Sequence, residues 1–336
     1  MLFAAAFTLP AAAQEMQVTI RLKNGGVVDA LAVSHDRDSI TFKAPGASQS
    51  IEMFYAQIDA IKWPEFEEWT KAQQSYDFGR YADAAPLFEK VAGMRGDPKT
   101  GYPSPGNYAS LAQRRLVECR RRLGDAAGVA KNLGKIETEW LPAADLPLPP
   151  VLDAWAAAGR EDWAKVMEIG DRLREDVAFS GTSGQGIELA YLSGMALQAL
   201  DRIPEALIAF AAAYSLNAAT DPGVSRMAME RAILLLAADP DREPQLRSLT
   251  HLYASNFGKG TLWEGAPEPV VAALSRPMEK GEAALGQAGR TETRGEIAEE
   301  TGGLKAVEQV TADRMKKVEA RPEAVSGKDS SKEANP

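Results

Sequence analysis

The hydrophobic period of this chain changes once, at Trp63-Pro64, and that change limits the possible folds more than any other feature. Before it, apolar residues recur at every second position, as in half-buried strands. After it they recur at intervals of three and four, as in helices packed on one face. Val18, Ile20 and Leu22 alternate with Thr19, Arg21 and Lys23 up to Asn24-Gly25-Gly26, where glycine supplies the positive φ of a tight hairpin. A second strand runs through Val33, Ser34 to Asp38 turn the chain, and Ile40 and Phe42 alternate again. Pro45-Gly46 makes the next turn, and Ile51, Met53, Ile58 and Ile61 complete two short strands. Five strands in fewer than 50 residues predict a small β-barrel over residues 16–63.

Part of this segment resembles a known family. Leu22-Lys23-Asn24-Gly25, with Asp36 eleven residues after Gly25 and then Ile40 and Phe42, is similar to the first half of an Sm-like barrel. The second strand carries Ala30 and Ala32 where that family tends to have Gly and Leu, and Phe54-Tyr55-Ala56-Gln57-Ile58 lacks the Arg-Gly pair of its second motif. The family's RNA-contacting residues therefore do not carry over. The segment 15–63 holds five basic and six acidic side chains, which is no electrostatic footprint for RNA. The whole chain has 38 Lys plus Arg against 47 Asp plus Glu, a net charge of -9, so binding to nucleic-acid phosphates is disfavoured. A generic SH3-like or Sm-like barrel, used for packing, protein contact or homo-oligomerisation, is the reading for this segment.

Residues 64–275 read as antiparallel helix pairs with repeats. Gly79, Tyr81, Ala84 and Phe88 have the spacing of the inter-helix turn and second helix of a tetratricopeptide repeat. Gly194 on a first helix, Asp201 opening the turn, then Ile203, Ala206, Phe210 and Ala213 form the clearest copy. Small residues let helix backbones approach while large ones fill the groove against the next pair. Weaker copies contain Leu116, Gly124, Val129, Leu133 and Ile136, and Trp155, Trp163, Val166 and Leu173. Turn residues Gly79, Gly124, Gly159 and Asp201 are separated by 45, 35 and 42 positions, more than the family's usual 34 or so. Proline-rich insertions from Gly96 to Gly106 and from Leu141 to Pro150 account for the excess. A last pair spans Val224 to Asn256, broken at Asp239-Pro240-Asp241. The resemblance implies an irregular tetratricopeptide-like α-helical solenoid, so the fold class expected is α+β multidomain, a small five-stranded barrel followed by that solenoid.

The two ends differ from the body. Residues 1–15 carry an uncharged apolar run ending in Ala11-Ala12-Ala13, a small-residue cleavage pattern, although no Lys or Arg precedes it. They read as a signal peptide, and the protein as exported and periplasmic. Residues 276–336 are rich in Glu, Lys, Ala and Gly, hold eleven basic and twelve acidic side chains with no aromatic residue, and read as a disordered tail.

Candidate chemistry is sparse. Cys119 lies beside Arg120 to Arg122, which favour a thiolate, but Leu116, Cys119 and Leu123 share one helix face, so a small core residue is expected. His35-Asp36 resembles the start of a hydrolase relay, yet the segment is a polar turn and no Gly-x-Ser-x-Gly nucleophile elbow is identified. Gly181 to Gly186 is glycine-rich but is followed by Ile187-Glu188, not by the Lys of a phosphate-binding loop, and reads as an interhelical connection. His251 has no neighbouring ligand type in sequence. One cysteine and two histidines fit no common zinc site, and no catalytic residue, metal or cofactor is assigned.

Trp63 and Trp69 are expected to fix barrel to helices, while Trp155, Trp163 and Trp263 are candidates for the lining of a concave groove, with the core as the equal alternative. The function expected is that of a non-enzymatic scaffold of the bacterial cell envelope, binding a protein or peptide, without a membrane span. An enzyme or accessory subunit acting on envelope material, and an RNA-binding Sm-like protein, are the alternatives.

Overall fold

The computed structural model describes residues 16–176, 184–215, 220–258 and 265–277. The expected leader, Trp263, residues 181–183 of the glycine-rich loop and the tail beyond Pro277 lie outside the described residues. The fold is α+β: a five-stranded antiparallel sheet followed by helices. The described residues divide into two compact units, the first ending at Leu235 and the second beginning at Leu236.

The sheet contains β1 (Met16–Leu22), β2 (Val27–His35), β3 (Ser39–Lys43), β4 (Ile51–Phe54) and β5 (Ile58–Lys62) in the order β4-β3-β2-β1-β5. Gly25 and Gly46 take the positive φ values, 86° and 80°, that the first and third turns require. Val18 pairs with Ala30, and Ile20 pairs with Val28 on one side and Ile61 on the other. This register puts Val18, Ile20, Ala30, Ala32, Ile40, Phe42, Ile58 and Ile61 in the core. By its hydrogen bonds the sheet is open, with β4 and β5 at its edges.

Among the described residues eleven α-helices follow: α1 (Glu67–Asp77), α2 (Tyr81–Ala92), α3 (Tyr108–Arg122), α4 (Ala126–Leu133), α5 (Val151–Gly159), α6 (Trp163–Arg174), α7 (Gly184–Ala199), α8 (Ile203–Ser215), α9 (Pro222–Ala237), α10 (Glu243–Phe257) and α11 (Glu268–Ser275). From α1 to α8 each helix packs against the next, and α1 also touches α3 as α5 touches α7.

The first eight form four hairpins closed by the same turn. Gly79, Gly124, Glu161 and Asp201 each adopt a left-handed backbone, with φ of 70°, 71°, 58° and 58°. In each, the next residue's N–H reaches back over the helix end: Arg80 to Ser75 O, Asp125 to Arg120 O, Asp162 to Ala157 O and Arg202 to Leu197 O, all within 3.0 Å. This is a Schellman closure, which satisfies carbonyls the helix leaves unpaired. Asp125 and Asp162 then cap the following helix by accepting from Gly128 N at 2.8 Å and Lys165 N at 3.1 Å.

The third turn corrects the sequence reading, because its left-handed residue is Glu161 and not Gly159. Gly159 still lies inside α5, where a Cβ would meet the Ala126 carbonyl oxygen at 2.0 Å. The glycine is there for close approach to α4. With this correction the turns are 45, 37 and 40 positions apart. Seven residues before each turn stands a buried Ala72, Val117, Ala154 or Gly194, and five after it a buried Ala84, Val129, Val166 or Ala206. These are the contact positions within each hairpin.

Both proline-rich insertions return to the sheet. Ile61 N donates to Pro105 O at 2.7 Å, so β5 is covered along its outer edge. Trp63 Nε1 donates to Ser104 Oγ at 2.9 Å, and the Tyr108 hydroxyl donates to the Trp63 carbonyl at 2.7 Å. The second insertion sets Trp140 edge-on to Tyr55 and donates Ala143 N to Asp59 Oδ1 at 3.0 Å. Sheet residues, Trp63, Trp69, Phe88, Leu116 and Trp140 consequently share one hydrophobic core. In the second unit, α10 packs on α11 through Leu246, Leu249, Tyr253, Val270 and Ala273, and Arg276 pairs with Glu243 at 3.2 Å.

Candidate functional site

The tryptophans divide between core and surface differently from the sequence reading. Trp155 is fully buried on α5 and does not line a groove; its Nε1 donates to Glu188 Oε2 at 2.7 Å. Trp163, the first residue of α6, is half-buried two positions after the turn, the offset occupied by Tyr81 on α2 and Ile203 on α8. Among the repeat-packing residues, Ala84, Phe88, Gly194, Ala206, Phe210 and Ala213 are buried, and Tyr81 and Ile203 are half-buried. Gly194 and Phe210 meet: a Cβ on Gly194 would lie 2.6 Å from the ring.

Around Trp155 lies an ionic seam that the sequence reading missed. Arg121 on α3 pairs with Glu118 on the same helix and with Glu188 on α7. Arg122 extends the seam to Glu118 at 3.1 Å and to Asp221, the residue before α9, at 2.6 Å. Arg114 stands 3.7 Å from Glu118. Burial opposes the charge on Glu118, but Arg121, Arg122 and Arg114 outweigh it and hold its carboxyl below the ordinary glutamate value. Glu188 is buried more deeply, and there desolvation prevails over Arg121 and raises the carboxyl. The only sequence signal was the acid at Glu118 beside a run of arginines. Nothing local marked Glu188 as its partner.

Burial pushes the Cys119 thiol up to about 12, so the adjacent arginines produce no reactive thiolate. His35 packs on Trp63 with ring centroids 4.8 Å apart and lies 3.3 Å from the Tyr102 carbonyl, and burial holds it below the ordinary imidazole range. It belongs to the sheet junction. His251 Nε2 lies 2.8 Å from the Arg276 carbonyl in the second unit. Among the described residues no group of three or more His, Cys, Asp and Glu is arranged to hold a metal. No helix among them is long and apolar enough to cross a membrane.

A cleft of about 510 Å³ lies between α4, α5 and α6. Ala130, Leu133 and Gly134 form one wall, Asp153, Ala156 and Arg160 another, and Lys165, Ile169 and Arg172 the third. Ala156 and Ile169 are almost fully buried, while Arg160 and Arg172 are exposed, so an apolar floor carries a cationic rim.

No family model, curated protein or solved structure matches the chain. The candidate site therefore stands on its own geometry, three cations and one carboxylate around an apolar floor.

Proposed function

We propose that the protein is a non-enzymatic interaction scaffold, exported to the bacterial envelope, that binds partner proteins through a tetratricopeptide-like solenoid. The observation that carries this reading is the fourfold recurrence of one hairpin turn with small buried residues at fixed offsets from it. Helix pairs built this way bury their apolar faces on one another and leave an extended surface for recognition. The strand order β4-β3-β2-β1-β5 supports an SH3-like or Sm-like barrel as the N-terminal module. Its β5 edge is occupied by the first insertion, which leaves β4, with Ile51 and Phe54 exposed, as the edge for protein contact. Export is supported by the Ala11-Ala12-Ala13 pattern before Gln14.

Crosslinking in intact cells followed by affinity capture tests the reading, with specific envelope proteins expected as the crosslinked species. Recovery of RNA, or turnover of envelope material by the purified chain, would overturn it. Mass spectrometry of the native N-terminus is expected to find a chain starting near Gln14; an intact Met1 on a cytosolic protein removes export.

A further inference from the structure

Among the described residues, the arginines whose guanidinium groups make no ion pair, hydrogen bond or ring contact are Arg160 and Arg172, and both line the cleft between α4, α5 and α6. We propose that this cleft docks an acidic segment of a partner protein, its carboxylates paired with Arg160 and Arg172. The proposal rests on the scaffold reading and names the partner's chemistry.

Arg160 caps the end of α5 and Arg172 lies in the last turn of α6. Helix-end carbonyls favour a cation at such positions, but they do not use the forked donors of a guanidinium. A carboxylate does, in a bidentate pair that a lysine cannot reproduce. Lys165, the third cation, is held by Glu168 at 2.6 Å in an exposed pair of the kind that exchanges readily. Among the described residues Asp153 is the one carboxylate on the lining, so the rim they form is cationic although the chain as a whole is at -9.

Spacing favours a peptide over a small free acid. Lys165 and Arg172 are seven residues apart on one helix, which places them about 10 Å apart along its axis. Carboxylates two and four residues apart share one face of an extended chain at roughly 7 and 13 Å, and the long side chains of Lys165 and Arg172 span the difference, so acidic residues of one strand reach both. Gly134 is exposed and leaves room for the peptide backbone, and the half-buried Ala130 and Leu133 offer apolar surface to the methylenes of glutamate.

The test is fluorescence anisotropy with the full chain and a labelled hexaglutamate peptide, with hexaglutamine of the same length as control. Hexaglutamate is expected to bind, more weakly as salt rises, and hexaglutamine is not. Arg160→Ala with Arg172→Ala should weaken hexaglutamate by about tenfold or more with an unchanged melting temperature, and Asp153→Asn should tighten it. Arg226→Ala, on α9 and outside the lining, should leave binding unaltered. Equal binding of the two peptides, an unaffected double variant, or glutarate competing as tightly as hexaglutamate would each overturn the proposal. A parent chain that crosslinks to envelope proteins yet ignores hexaglutamate overturns the cleft and leaves the scaffold reading standing.

Discussion

The junction between sheet and helices and the seam joining α3, α5 and α7 both bury a tryptophan whose indole N–H finds an oxygen acceptor, but the acceptors differ in kind. Trp63 donates to the neutral hydroxyl of Ser104, itself donating to Gly101 O at 2.7 Å, among buried Thr100 and Asn107. Trp155 donates to the carboxylate of Glu188, which is tied to Arg121 and through it to Glu118. A neutral network is held by shape and hydrogen bonding. A charged one is held by pairing, and removing one member strands another in a medium that solvates it poorly. The two regions should therefore fail differently.

The largest effect is expected in the seam. Glu188→Ala leaves Arg121 short of one partner and the Trp155 indole without an acceptor, and should cost about 3–5 kcal/mol in denaturant unfolding. A loss below about 1 kcal/mol would mean that Glu118 alone neutralises Arg121, and the contrast would collapse. Next comes a steric test of the junction. Gly101 has φ of 67° and a Cβ there would lie 2.2 Å from the Trp63 ring, so Gly101→Ala should cost about 2–3 kcal/mol and perturb tryptophan fluorescence. An unchanged melting curve would show that the loop lifts off the sheet freely.

A smaller loss, about 1–3 kcal/mol, is expected for Ser104→Ala, which removes the acceptor of the Trp63 N–H and the donor to the Gly101 carbonyl. Threonine at this position should recover part of the loss, and equal instability of both variants would assign the effect to packing. The finest test is pH. Glu118 has a folded-state pKa below its ordinary value, so its stabilisation is present above that value and is lost as acid carries the pH down through the folded one. Glu188, raised by burial, acts in the opposite sense: its contribution is present at low pH and is lost as pH rises through its folded value. Glu118→Gln should therefore flatten the acid limb of stability against pH, whereas Ser104→Ala should shift the curve without changing its slope. Parallel curves for all three proteins would remove the electrostatic account of the seam.

The sheet was legible in sequence because its signals are local. Alternation from Val18 to Leu22, glycine at Gly25 and the Pro45-Gly46 turn each act within a few residues, and the strands fall where they point. Three of the four hairpin turns were legible for the same reason. The third was misplaced because glycine usually marks the left-handed residue, while here Glu161 bears that strain and Gly159 serves contact with α4. The cleft was not legible at all, since Leu133, Asp153 and Arg172 come from three helices and no motif links them.

By itself the sequence determined the order of strands and helices, the turns with glycine, and the small residues such as Gly194 and Ala206 on which hairpins close. These follow from backbone sterics and side-chain period, which need no knowledge of distant chain. Only the tertiary structure decided that Trp155 is core and that Arg121 and Glu188, 67 residues apart, share a buried pair. It also decided that Arg160 and Arg172 lie together on an open cleft. Whether a charge is buried, paired or free depends on which surfaces meet, and that is fixed by packing between elements, not by the residues next to it in the chain.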